Sequence, residues 1–359
     1  MDAIETPATS TNNHEADSRP LVSIVIPVLN EEENIPRLRD ELLAAVEPLP
    51  YRYEFIVVDN DSTDRSAELA KALCAADPRW KYLKFSRNFH TEMSMTAGYH
   101  FASGDAIIVL YSDLQDPPDV IPRFLEKWRE GYDVVYGVRR VRPGEPAWRN
   151  WAAKWAYRVI AWASDVPIPV DAGDFRLISR RVRDAMERYS ENNRYMRGMI
   201  AWLGFRQTGV LYERRPRHAG LSKAPLWPTL IYTLNAVTSF SLKPLRLFLA
   251  LGLFTTALSV LAIFGYSFLS LLGNPPPGIT TLIVLAFLGI GLNSLGIGML
   301  GEYLGRTYVE TKRRPLYIVE EAVNLPAADS HVTPSHEASP AGRAPAARDE
   351  ADRDGTHDR

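Results

Sequence analysis

The chain has 359 residues, a single cysteine and a formal net charge of −2. That length accommodates one large core or two, and the near-neutral balance excludes a globally basic nucleic-acid binder. With Cys74 alone an internal disulfide is excluded, which suits a reducing compartment.

Residues 1–20 are polar and lack the basic and apolar segments of a signal peptide, so they read as a disordered tail. The first strand follows at "LVSIVIPVLN", a β-branched run of the kind covered on both faces. It gives way to "EEENIPRLRDELLAAV", where Asn30 is expected to cap a helix and Glu31, Glu32 and Glu33 to occupy its first turn. "YEFIVVDNDSTDRSAELAKAL" repeats the plan of strand, acidic turn and helix. "WKYLKFSRN" and "DAIIVLYSD" are further strands around the helical "TEMSMTAGYHFAS", and "YDVVYGVRR" is a fifth. Strands alternating with helices predict an α/β domain with a mainly parallel sheet. Ligands of such sheets sit beyond the carboxyl ends of the strands. Asn30, Asp59, Asp61, Asp64, Arg87, Asn88, Asp113 and Gln115 all fall at or near those ends. Any one of them can be a helix cap, whereas the whole set points to a cation or a ligand.

Further along, "AWRNWAAKWAYRVIAWAS" places Trp148, Trp151 and Trp155 on one helical face with cations elsewhere. That pattern fits a helix lying in a membrane interface and equally an amphipathic core helix. "LWPTLIYTLNAVTSFSLKPL" is expected to lie on the surface and lead into the first of two long apolar segments. Between Arg246 and Glu302 there is no Asp, Glu, Lys or Arg. Segments 247–273 and 279–303 each reach the ~20 residues a bilayer core requires, the alternative being a buried helical hairpin. Lys243, Arg246, Arg306, Lys312, Arg313 and Arg314 flank the pair, while the linking "GNPPPG" is uncharged. The positive-inside bias then puts both chain ends and the large domain in the cytosol. Residues 324–359 are poor in large apolar side chains and are expected to be disordered.

"IVIPVLNEEENI", "FIVVDNDSTDRS", "SRNF", "SDLQDPP", "DAGDFRLISR" and "GEYLGRTYVETKRRPLYIVEE" together resemble family 2 glycosyltransferases of the GT-A fold. The resemblance is to the polyprenyl-phosphate group, which includes dolichol-phosphate mannose synthases and undecaprenyl-phosphate glycosyltransferases, and it covers residues 22–321. It implies a Rossmann-like GT-A domain at 21–225, an interfacial helix region at 226–245, a two-helix transmembrane hairpin at 246–306 and a cytosolic C-terminal segment at 307–323. The implied activity is inverting transfer of a sugar from a nucleotide sugar, with UDP-glucose favoured, to polyprenyl (undecaprenyl) phosphate. The implied location is the cytoplasmic membrane, multi-pass, with the catalytic domain on the cytosolic face. The bilayer is then a partner, nucleic acid is not, and a homo-oligomer is allowed.

By that resemblance, Pro27, Leu29 and Glu31 line the base and ribose, and Asp59 bonds the base. Asp113 and Gln115 stand near Mg2+ or Mn2+, with Asp113 also on the donor. Asp174 matches the residue assigned as base in inverting relatives. A phosphate acceptor with a second pKa near 6 hardly requires one, so Asp174 is read here as an orienter acting through Arg176 or the metal. Arg139, Arg176 and Lys223 are the candidate phosphate ligands, because guanidinium and ammonium groups suit phosphate. Three positions depart from the pattern. Tyr111 replaces the usual first Asp, His90-Thr91 replaces Gly-Lys, and Asn60-Asp61 replaces Asp-Gly. Two other readings remain: a binding protein whose site decayed at Tyr111, and a different membrane transferase of the same family. A processive synthase is disfavoured by the lack of a Gln-x-x-Arg-Trp motif.

Overall fold

The computed structural model describes residues 18–139, 172–189, 191–192, 194–215, 243–272 and 278–325. Most of both tails, the Trp-bearing segment 148–155 and most of the 226–245 region lie outside the described residues.

The chain alternates as the residue pattern predicts. β1 (Leu21–Val28), α1 (Ile35–Val46), β2 (Arg52–Asp59), α2 (Ser66–Ala76), β3 (Trp80–Phe85), α3 (Thr91–Phe101) and β4 (Ala106–Val109) come first. α4 (Ile121–Arg129), β5 (Val134–Arg139), β6 (Ala172–Ser179), α5 (Arg180–Glu187), α6 (Met196–Trp202) and β7 (Gln207–Tyr212) complete the domain. Two long helices, α7 (Lys243–Leu271) and α8 (Ile279–Thr311), are followed by a last strand, β8 (Val319–Val323).

The described strands form one eight-stranded sheet in the order β7-β5-β6-β4-β1-β2-β3-β8. β1 to β4 pair in parallel, as do β5 and β7, whereas β6 runs antiparallel between β4 and β5. The fold is therefore GT-A-like α/β with a mostly parallel sheet. Helices cover both faces, which is why β1 and β2 are near-continuous buried runs. Ile35, Leu38 and Leu42 of α1, Cys74 of α2 and Phe124 of α4 pack on one face. Met95 and Tyr99 of α3, Val182 of α5 and Met199 and Ile200 of α6 pack on the other. Burial pushes the Cys74 thiol up to about 11, so it stays protonated inside this core.

At Gly98 α3 packs so tightly on β1 that any β-carbon would overlap the Val25 side chain. Gly98→Ala gains about 1 kcal/mol of helix propensity. The overlap outweighs that gain, and a net loss of about 1–3 kcal/mol is expected, read as a lowered Tm in thermal unfolding.

One expected cap is corrected. α1 starts at Ile35, with a proline in its first turn, and Pro36 favours a start there. Asn30 instead sits in the left-handed region at φ 57. Its Oδ1 accepts the Thr63 N–H at 2.8 Å, tying the turn after β1 to the turn after β2.

α7 contains a stretch, Phe248–Leu269, of mean hydropathy 2.1 that is long and apolar enough to cross a membrane. None of it is buried, and Leu253, Phe254, Leu261 and Phe264 all point outward, unlike the side chains of a soluble core helix. It is the one such helix among the described residues. The second apolar segment is helical throughout and packs on the first, with Gly296 lying directly against the Phe248 ring.

Candidate active site

The carboxyl ends of β1, β2, β4, β5 and β7 share one edge of the sheet, as parallel topology requires. β6 runs the other way, so its beginning meets their ends. Arg176 pairs with Val109 and Ala172 with Val138. That register sets Asp174 beside the segment that leaves β4, and the residues predicted from 111 to 176 converge there.

Tyr111 donates its phenol hydrogen to Asp174 Oδ2 at 3.3 Å. Burial, and then the Asp174 charge, hold the phenol well above its ordinary pKa, so it remains a donor. Leu114 adopts φ 57, a conformation that costs a non-glycine residue about 1–2 kcal/mol. This reversal lets Asp113 Oδ1 accept the Gln115 N–H at 3.1 Å. Both side chains are half-buried. Among the described residues, no group of three or more His, Cys, Asp or Glu is arranged to hold a metal ion.

Asp174 is gripped by a residue the sequence reading missed. Arg197 Nε and Nη2 donate to its two oxygens at 2.8 and 2.7 Å, a bidentate pair. Arg176, named beforehand as the partner, is 3.7 Å away and donates to the Gly173 carbonyl at 2.8 Å. Burial pushes the Asp174 carboxyl up, but the Arg197 bonds and charge, the Arg176 charge and the Tyr111 bond outweigh it. The result is a pKa of about 2. Glu92, at the start of α3, is affected the other way, raised by burial and then by the Asp174 charge. The sequence did carry a signal for Arg197. It sits in "YMRGMIAW", where Met196, Met199 and Ile200 are buried, and an arginine on such a helix requires an acid.

A second network lies alongside. Arg139 Nε donates to Tyr212 Oη at 3.3 Å, and the Tyr212 hydroxyl donates to Asp116 Oδ1. Arg214 approaches the same carboxylate at 3.8 Å. Asp116 is fully buried and its Oδ2 has no hydrogen-bond partner. Burial first, and the Asp113 charge, push its pKa upward.

The remaining predicted residues among those described lie in or just after β1, β2 and β3. Asp59 is fully buried, with Oδ1 accepting the Ser62 N–H and Oδ2 the Tyr82 hydroxyl, both at 2.8 Å. Pro27 is buried in β1, and its carbonyl accepts from Ser112 Oγ at 3.0 Å. Leu29 is 41% exposed, and the Glu31 N–H donates to Ser66 Oγ at 2.8 Å. Asp64 accepts the Ser66 N–H at 2.9 Å and so stabilises the start of α2. Asn60 and Asn88 bond each other at 3.0 Å, while Arg87 is exposed and stacks on Phe89. Lys223, Trp148, Trp151 and Trp155 lie outside the described residues.

Residues 23–186 match the Glycosyl transferase family 2 model. An uncharacterized glycosyltransferase of Bacillus subtilis, YkcC, is 41% identical over 84% of this chain and 94% of its own length. A bactoprenol glucosyl transferase from the SfII prophage of Shigella flexneri is 39% identical over 84% of this chain and 98% of its own. A prophage bactoprenol glucosyl transferase homolog of Escherichia coli is 39% identical over 83% and 98%. Among solved structures, the Mycobacterium tuberculosis glucosyl-3-phosphoglycerate synthase with Mn2+, UDP-glucose and phosphoglyceric acid aligns at 17% identity. It covers 65% of this chain and 86% of its own, with a TM-score of 0.43, too slight a similarity to build on. With relatives of this identity along nearly their whole length, the chain belongs to glycosyl transferase family 2 and is a glycosyltransferase.

Proposed function

We propose that the enzyme transfers glucose, or a closely related sugar, from its UDP-sugar to polyprenyl phosphate at the cytoplasmic face of a membrane, with inversion. The observation that carries this reading is the strand-end cluster. It combines Asp113 and Gln115 on the segment leaving β4, Arg197 and Arg176 at Asp174, and Arg139 in the neighbouring Tyr212–Asp116 network. Relatives named bactoprenol glucosyl transferases support the lipid acceptor and the sugar. The outward-facing apolar helix α7 supports a membrane setting. We extend it to a two-span hairpin with α8, both chain ends being cytosolic because Lys and Arg flank the pair.

The donor set fits a small hard cation. Mg2+ commonly takes one or two carboxylates and completes its shell from substrate phosphates and water. Asp113 and Gln115 would hold it, and when bound it would supply charge neutralisation for the leaving diphosphate. The chain's own residues do the rest. Arg139 and Arg176 bind phosphate oxygens, while Asp174, with a pKa of about 2 and so ionised near neutral pH, aligns the guanidinium groups rather than taking a proton. A dianionic phosphate oxygen then attacks the anomeric carbon in line as the bond to the nucleoside diphosphate breaks.

A panel of nucleotide sugars, assayed with undecaprenyl phosphate and full-length protein in detergent, tests the reading. A glucosylated lipid formed from UDP-glucose and dependent on a divalent ion is expected. Donor binding without product would instead favour a binding protein decayed at Tyr111.

Tyr111 itself gives a graded test. Tyr111→Phe removes a long hydrogen bond, 3.3 Å, to a charged group, worth about 0.5–1.5 kcal/mol. A fall of about two- to tenfold in kcat is expected, with the donor KM unchanged. Tyr111→Asp should lower the metal concentration for half activity if the missing carboxylate weakens the ion site. An unmoved metal dependence would mean that the phenol has a role of its own.

A further inference from the structure

The "GEYLGRTYVETKRRPLYIVEE" stretch lies far along the chain from the strand-end site, yet the fold joins the two. Glu310 occupies the last turn of α8. Its carboxylate accepts the Asn192 N–H at 2.9 and 3.0 Å and the Asn192 side-chain amide at 3.0 Å. Asn192 stands just ahead of α6. Arg194, only 8% exposed, braces that approach by donating to the Tyr189 carbonyl at 2.9 Å and the Glu191 carbonyl at 3.2 Å. Three residues on, Arg197 makes its bidentate pair with Asp174. Beyond Glu310 the chain reverses through Arg313 at φ 47 and buries Leu316 and Tyr317 in the core face that α6 also covers. Tyr317 stacks on Phe85 at 5.0 Å between ring centres.

We propose that Glu310 is a positioning residue: it fixes α6 against the end of α8, so that Arg197 is presented to Asp174 in bidentate register. α6 has only seven residues, too short to be held by its own hydrogen bonds. Its placement therefore depends on packing and on the tie at its N-terminal approach. A bidentate guanidinium tolerates little displacement, so loosening the tie is transmitted to the carboxylate. The seating of an apolar helix is thereby linked to the arrangement of the reacting groups.

The activity arm of the test rests on the transfer reaction proposed above, while the exchange arm does not. Full-length Glu310→Ala is expected to lower kcat by about ten- to a hundredfold, leaving the donor KM within about twofold. Glu310→Gln, whose amide oxygen still accepts the Asn192 N–H, should recover most of the rate. Hydrogen–deuterium exchange in the alanine variant should rise across residues 194–202 while β1 and β2 keep their protection. Parental kcat in Glu310→Ala overturns the proposal, as does unchanged exchange across 194–202. Equal loss of protection throughout the domain in both variants also overturns it, since Glu310 would then act on global stability. A parent that transfers no sugar, with the exchange result as expected, would sink the functional reading and leave the tie standing.

Discussion

Asp174→Asn is expected to lower turnover by about a hundredfold, with nucleotide-sugar affinity nearly unchanged. The amide keeps the shape and one acceptor oxygen, but it removes the charge that holds Arg197 at 2.8 and 2.7 Å and Arg176 at 3.7 Å. The Arg197 and Arg176 guanidinium groups then lose the charge that aligns them. With a pKa of about 2, Asp174 is already ionised across the working range. The pH dependence near neutrality therefore belongs to the acceptor phosphate, whose second ionisation lies near pH 6. The residual rate of the variant should still rise through that ionisation. A variant that loses this rise would make Asp174 the base, and one that fails to bind donor would move it to the donor site. Stability follows the same charge. The folded pKa is depressed below the ordinary 3.8, so the contribution is complete above about pH 4 and is lost as pH falls toward 2. Acid unfolding of the parent should show that loss, and the Asn variant should lack it.

Asp113→Ala is expected to bring transfer below about a thousandth of the parental rate. With Tyr111 turned toward Asp174, Asp113 is the carboxylate that remains for a cation on the segment leaving β4. Asp116, nearby, is buried and already accepts from Tyr212. Under the proposed function, removing Asp113 leaves the Gln115 amide as the one remaining protein ligand of the ion. Mn2+ binding followed by electron paramagnetic resonance in the presence of UDP gives a readout besides activity, and it should weaken in parallel. Transfer within a few-fold of the parent would remove the ion site altogether.

The legible parts of the sequence were those with local periodicity. The runs at β1 to β5 and the helices between them stand where the alternation puts them, because each buried run is bounded by its own turn residues. β6, β7 and β8 are not among the strands that the pattern predicts. "DAGDFRLISR" stands out for its Asp and Arg, "QTGVLY" is a strand beside β5, and "VEEAV" is one because β3, distant in sequence, offers it an edge. The site was half legible for the same reason. Asp113 and Gln115 announce themselves at a strand end, whereas the Arg197–Asp174 pair forms between a strand and a helix that no local pattern connects. Asn30 has the residue type of a cap, but its side chain serves the neighbouring loop through a long-range bond that propensity does not see.

β8 is antiparallel to β3 and is held by Lys71 to Glu321, Lys84 to Glu320 and Asn324 to the Cys74 and Trp80 carbonyls. The partners Lys71 and Glu321 are 250 residues apart. On a ribosome the chain therefore makes β3 long before its covering strand, which follows only after both apolar helices have been synthesised. Until then β3 offers an unpaired edge, the kind of surface that recruits other strands. Synthesis at about 5–20 residues per second leaves that edge open for on the order of ten seconds or more. Completion of the sheet thus waits for the hydrophobic helices to emerge, and a ribosome that stalls before residue 319 releases a domain with an exposed template for aggregation.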